Sequence, residues 1–326
     1  MQTLNQTTLL TGVLAGMTAA LLVLGANAQP SFASFMYAAS ALPILIAGLG
    51  WGNAAAIMSV LTAAALGAAF VSPMFAVAAA IFTLIPAGWI SHLANLARPA
   101  SELGGPDDLL AWYPLSDILM HLCALVAIAV IILGIMIGYS QELTDQMVDL
   151  MMATLKTQEP QFAPDPAAIQ QAKSMLVLSL PMIQGGLWVI LLFASYYIAS
   201  RVVALSGRKL RPREDIPSTL RMNRNAIFVF LAGIVATFLG GVPAMIGATL
   251  CGTFGAGFLM SGFASLHFRT RGKDWRLPVL ILAYLSAIMV LPAFLILVLG
   301  LADMRRAVAL TPPTDKNTPN NSNQPD

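Results

Sequence analysis

The first 97 residues contain no Lys, Arg, Asp or Glu, and the first charged side chain is Arg98. A water-facing surface needs charge to stay solvated, whereas helices with lipid around them must exclude it, since an ion at the bilayer centre costs at least ~3 kcal/mol. Residues 1–97 therefore read as a membrane block. A span takes roughly 20 apolar residues, and Gln29-Pro30, Gly50-Trp51-Gly52 and Ser72-Pro73 divide the block into four such segments, about 8–26, 32–50, 53–71 and 75–96. Links this short force consecutive helices to be antiparallel neighbours. Leu9 to Leu24 followed by Ala26-Asn27-Ala28 imitates a cleavable signal segment, but no Lys or Arg precedes it, so a retained first span is expected.

Composition extends the reading to the whole chain. Its 326 residues are 58% hydrophobic and 10% charged, with mean hydropathy +0.78, against about 25% charged in soluble domains. A net charge of +2 is too small for a nucleic-acid partner, and Cys123 and Cys251 both lie in apolar segments, which argues against a disulfide framework or a thiolate metal site. The expected class is all-α: a polytopic transmembrane helical bundle of eight or nine spans with one extramembrane amphipathic helix.

Small residues recur every fourth position in the first span (Gly12, Gly16, Ala20), the third (Ala55, Ser59, Ala63, Gly67) and the eighth (Ala244, Ala248, Gly252, Ala256). Such ridges let helix backbones approach closely in lipid. They serve internal packing or, on the terminal first span, a face for a partner subunit. Gly48-Leu49-Gly50-Trp51-Gly52 has no preceding strand and reads as a hairpin turn rather than a phosphate loop.

A loop over 98–114 ends in Trp112-Tyr113, an interfacial aromatic pair, and a fifth span follows over about 115–139. Asp117 and His121 are spaced to share a helix face, while His121 and Cys123 are not; interfacial hydrogen bonding or, with His92, a metal site are the two readings. Residues 140–171 form an acidic insertion in which Leu143, Met147, Leu150, Met151 and Leu155 make a helical stripe opposite Glu142, Asp145 and Asp149. That pattern fits an amphipathic helix on the membrane surface or capping the bundle. Glu159-Pro160 ends it, and Asp165-Pro166 has the chemistry of a new helix start.

The sixth span, about 174–200, carries Gln184 near its middle, with Pro181 one turn before and Trp188 one turn after, and Gly185 adjoining. An amide in hydrocarbon must find a partner, so this face points into the bundle, as interhelical glue or as the wall of a small-molecule pocket. The link 201–224 holds seven basic and two acidic residues, and 267–276 holds four basic residues against Asp274. The positive-inside rule places both in the cytoplasm. Spans over about 225–242, 244–266 and 277–301 then put the N-terminus in the cytoplasm and the acidic insertion and C-terminus outside. The expected location is the inner (plasma) membrane, with a single domain over 1–303 and a disordered Pro/Asn/Thr-rich tail over 304–326.

Gly300-Leu301-Ala302-Asp303 with Arg306, and Ser265-Leu266-His267-Phe268, together resemble the YybS-like family of uncharacterised bacterial membrane proteins across roughly residues 8–306. Over residues 8–100 the chain is also similar to the substrate-binding S components of energy-coupling-factor transporters. That likeness rests on Gly12, Gly16 and Ala20, and on Pro43 with Gly48, Gly50 and Gly52. It implies a solute held within the bundle and a coupling subunit docked on the first helix.

No GxxxxGK[ST] loop occurs, no carboxylate sits mid-span, and no Ser/His, paired-Asp or H-E-x-x-H arrangement is evident. The chain is thus expected to be neither an ATPase nor an enzyme and to need no cofactor. A transporter-like membrane protein binding a small solute through Gln184 and Trp188 is the leading reading. A non-transporting scaffold or envelope assembly partner is the alternative.

Overall fold

The computed structural model of the protein describes residues 5–311 apart from 29, 138–140, 160, 162–164, 288 and 306–307. The charge-free block folds as α1 (Gln6–Ala28), α2 (Ala33–Ala39), α3 (Ala41–Trp51), α4 (Asn53–Phe70), α5 (Pro73–Ala79), a π-helical turn (Ala80–Leu84) and α6 (Ile85–Ala94). The second expected span is bent at Ser40, three residues before Pro43, which removes a helical donor and crowds the preceding turn. Gly52, at φ 86°, lets α4 follow α3 after a single residue, and its N–H closes on Gly48 O at 2.9 Å.

The predicted small ridges interlock. Gly12 lies against Ala55 and Met58, and Gly16 against Ser59 and Thr62, so α1 and α4 run side by side in the same direction. Gln29 and residues 312–326 of the expected tail fall outside the described residues.

A short sheet follows: β1 (Ala97–Pro99) pairs antiparallel with β2 (Leu110–Trp112), which pairs with β3 (Leu310–Thr311) near the far end of the chain. Trp112 Nε1 donates to Thr311 Oγ1 at 2.8 Å. The segment expected to be disordered from residue 304 therefore contributes a paired strand.

Beyond it lie α7 (Leu115–Ile137), α8 (Gln141–Gln158) and α9 (Pro166–Leu205). Asp165 caps α9 by accepting from Ala167 N at 3.0 Å, with Pro166 in the first turn. The sixth span is thus part of one 40-residue helix, about 60 Å long, well beyond a ~30 Å hydrocarbon core. Its overhang packs against α8, where Lys173 Nζ lies 2.8 Å from Asp149 Oδ1 and 3.9 Å from Asp145 Oδ1. Val148 and Thr144 are buried, whereas Met147, Leu150 and Met151 are exposed. Met147, Leu150 and Met151 of the expected apolar stripe therefore face outward rather than onto the bundle.

The remaining elements are α10 (Ile216–Thr219), α11 (Ala226–Thr237), α12 (Gly241–Arg269), α13 (Arg276–Ser286) and α14 (Val290–Ala302). Among the described residues, seven stretches are long and apolar enough to cross a membrane, while 226–237, 276–286 and 292–302 are shorter. The expected count of eight or nine spans is corrected to seven helices of full spanning length among the described residues. The seventh is a 12-residue helix ending before Gly240 and Gly241, both at positive φ, where the chain turns into the 29-residue α12. The ninth is two short helices that dip and return: Tyr284 of α13 stacks on Phe263 and reaches His267 at 2.9 Å, while α14 runs back beside α12 so that Asp303 meets Ser265.

Both ends of the described chain consequently lie on the face that carries the basic loops. Asn53, at the start of α4, follows the α3 end that borders those loops, and α1 runs parallel to α4; β3 pairs with β2, just before α7. The expected position of the C-terminus opposite the basic loops is corrected by this pairing. The core between the helices is apolar, with Ile44, Leu45, Leu84, Ile118, Leu122, Val126, Val189 and Phe258 almost wholly buried. Leu10, Leu21, Phe70, Ile135, Phe228 and Phe238 point outward, as lipid contact requires.

Candidate functional site

Pro86 has no N–H to offer, so the carbonyl four residues earlier, Phe82 O, lacks its helical donor. The chain widens by one residue there, with Ile85 N–H reaching back to Ala80 O. The indole of Trp188 on α9 takes the vacated place, donating from Nε1 to Phe82 O at 2.9 Å, and the Phe82 and Trp188 rings meet edge to face at 5.7 Å. π-Helical turns recur at functional sites because they free backbone groups and open space between helices.

Such a space is present. A cavity of about 330 Å³ is lined by Tyr37 on α2, Phe75 on α5, Phe82 and Thr83 in the π turn, and Gln184 and Trp188 on α9, with Ser34 and Leu133 at its border. The volume falls in the range of small-molecule pockets. No charged side chain is among its lining residues. Thr83 is 1% exposed, and its Oγ1 has no hydrogen-bond partner among the described residues. A buried hydroxyl left unpaired costs about 1–3 kcal/mol. The starts of α2 and α5 and the last turns of α7 all border the cavity, so it lies in the half of the bundle opposite the basic loops.

The structure thus brings Gln184 and Trp188 to one wall. Gly185 turns away from it, packing on Thr253, and Pro181 is buried without lining the cavity. Sequence reading missed Thr83 and Phe82; the signal was Pro86, whose missing donor marks a carbonyl that something else must satisfy.

Pro86→Ala is expected to give no gain in thermal stability. A helix-interior proline alone costs ~3 kcal/mol, but restoring the regular helix would leave the buried Trp188 N–H unpaired. A gain of that size would show that the indole does not hold the bend.

Gly12 and Gly16 are covered by α4 and Ala20 is 2% exposed, so a subunit could reach this ridge only by parting α1 from α4. Asp117 and His121 share a turn, but His121 Nδ1 meets the Asp117 backbone oxygen at 2.8 Å, while the carboxylate accepts from Asn223 Nδ2 at 2.6 Å. His92 and His121 both lie beside the Trp89 ring, and Cys123 is buried against Gly257.

On the basic face, Arg221 is fully buried, although by sequence it is one of seven cations in a loop. Nε donates to Asp303 Oδ2 at 2.8 Å, and Nη1 donates to Pro217 O and Leu220 O at 2.9 and 2.7 Å. Ser265 Oγ donates to the same Asp303 oxygen at 2.7 Å. Burial alone would raise the Asp303 carboxyl, but the Ser265 hydrogen bond and the charges of Arg221 and Arg305 outweigh it and hold it below the ordinary value. Burial pulls the Arg221 guanidinium down, against the opposing pull of Asp303. The cluster ties the loop before α11 to the ends of α12 and α14.

The family described as predicted membrane protein (DUF2232) matches residues 16–304, and the chain belongs to it. The matched region runs from α1 through Asp303 and so contains the cavity and the buried ion pair. No curated protein and no solved structure matches the chain.

Proposed function

We propose that this member of the DUF2232 family binds a small neutral solute in the cavity between Tyr37, Phe82, Thr83, Gln184 and Trp188, as the capture step of a transporter-like, non-enzymatic membrane protein. The buried, unpaired Thr83 hydroxyl beside an aromatic wall carries this reading. Gln184 offers both donor and acceptor, and the rings offer stacking surface. An uncharged ligand fits because burying an ion in an uncharged pocket is costly.

On the positive-inside rule we take the basic loops to face the cytoplasm of a plasma membrane, and the cavity then faces the exterior. That arrangement suits uptake and agrees with the resemblance to transporter S components. A coupling subunit would dock elsewhere than Gly12, Gly16 and Ala20, since α4 occupies that ridge.

The test is thermal stabilisation of the purified full chain against a panel of vitamins and other neutral metabolites. A ligand at a hundredfold its Kd stabilises by about 2.7 kcal/mol, and the shift is expected to vanish in Gln184→Ala and weaken in Thr83→Val. Equal shifts in wild type and both variants would remove the cavity from consideration. The exposed Met147, Leu150 and Met151 on α8 support the alternative of an assembly partner. Stable co-purification with envelope machinery, and no ligand shift, would favour it.

A further inference from the structure

A second cavity, of about 360 Å³, opens on the basic face where the C-terminal part of α9 meets the ends of α3 and α6 and the start of α7. It is lined by Tyr197, Arg201, Lys209, Arg211, Arg213 and Asn95, among others, and it shares no lining residue with the aromatic cavity. Two carboxylates border it, and each is already matched. Glu214 pairs with Arg211, whose Nη1 also donates to Ala94 O at 3.2 Å, and Asp215 pairs with Arg271 from the next basic loop at 2.5 Å. Arg201, Lys209 and Arg213 have no carboxylate partner among the described residues. Arg201 is held in place by Tyr197, whose hydroxyl accepts from Nε and Nη2 at 3.1 and 2.8 Å.

Two further observations indicate what these three cations face. Asn95 Nδ2 donates to Gly48 O at 2.7 Å, which leaves the buried Oδ1 without a partner. It can accept from a ligand hydroxyl. Ile198, Val202 and Leu205, on the last turns of α9 and outside the cavity lining, are exposed apolar residues. A lipid packed against this end of α9 would bring its headgroup to the basic face, where Arg201, Lys209 and Arg213 line the cavity. We infer that this cavity binds the phosphate of a hydroxylated phosphodiester, presented as the headgroup of an anionic lipid in the basic-face leaflet.

The full chain in nanodiscs of phosphatidylcholine and phosphatidylglycerol, followed by native mass spectrometry, reads the lipids it retains. Phosphatidylglycerol is expected to be retained over phosphatidylcholine, and Arg201→Gln/Lys209→Gln/Arg213→Gln is expected to reduce that preference at least ~10-fold, since each cation near a lipid phosphate contributes about fivefold. Lys273→Gln/Arg276→Gln, which removes two charges from the other basic loop, is expected to leave it unchanged. The single charge reversal Arg213→Glu, at an exposed side chain, gives the same reading should the triple variant fold poorly. Stabilisation of the wild type by inorganic phosphate or glycerol phosphate, lost in Arg213→Glu and without lipid retention, would assign the same site to a soluble phosphate ester. No preference for phosphatidylglycerol and no stabilisation by phosphate would overturn the inference, as would equal loss in the Lys273/Arg276 control.

Discussion

Replacing Asp303 with Ala is expected to destabilise the protein by roughly 3–5 kcal/mol, the cost of stranding a buried charge. Arg221 has no exposed surface and one Nη2 already without a partner, so it has nowhere to turn for a new acceptor. Arg221→Met should cost less, because Asp303 keeps Ser265 and the nearby Arg305. The double variant Arg221→Met/Asp303→Leu should recover most of the loss, since a well-packed apolar pair can replace a buried ion pair at little cost. Chemical unfolding in detergent would measure all three; strict additivity of the two single effects would disprove the coupling.

The same carboxylate sets an acid limit. Its folded pKa lies below the ordinary value, so the stability it contributes is fully present above about pH 4 and is lost as pH falls through the folded value. Asp215, pulled down first by its hydrogen bond to Arg271, has the same sign. Unfolding midpoints should therefore be insensitive to these groups from pH 7 to about 5 and fall below about 4. Asp303→Asn should lose its part of that acid dependence.

Gly252→Val is the second large effect expected. A Cβ at Gly252 would fall on the backbone of Met182, which leaves no flexible side chain to give way, and Gly186 on the facing helix lies against the Gly252 carbonyl. α9 and α12 would have to separate, at a cost of about 3 kcal/mol or more. Gly255→Ala is the control, because its added methyl would meet Phe230 at an ordinary 3.5 Å and gain helix propensity. Comparable losses in both would show that the effect comes from glycine replacement in α12 rather than from this contact.

The membrane bundle was legible because absence of charge is a one-dimensional property: Met1 to Ala97 states it without reference to any fold. The small ridges were legible for a similar reason, since a period of four puts Gly12 and Gly16 on one face whatever that face meets. That the face meets α4 is a pairing between distant segments, which periodicity does not carry. Gln184 and Trp188 stood out as polar and aromatic groups at mid-span. Thr83 did not, since its importance comes from a donor lost at Pro86 and a hydroxyl stranded by the bend. Arg221 was read as a loop cation because composition counts charges without depth. Only its fit between Pro217, Leu220 and Asp303 shows it to be internal. The last apolar run, 277–301, has the length of a span, and nothing in its hydropathy distinguishes one crossing from a descent and return.

That descent and return changes the parity of the chain. With α13 and α14 starting and finishing at the basic face, and α11 and α12 doing the same, residues 226–302 form two hairpins. Neither carries a charged loop through the bilayer. Among the described residues, the only Lys or Arg on the opposite face are Lys156 and Lys173, both within the acidic α8–α9 hairpin, where Lys173 is neutralised by Asp149. Reporters placed at either end of the described chain would sample the same compartment, and an insertion in the α8–α9 connection would sample the other.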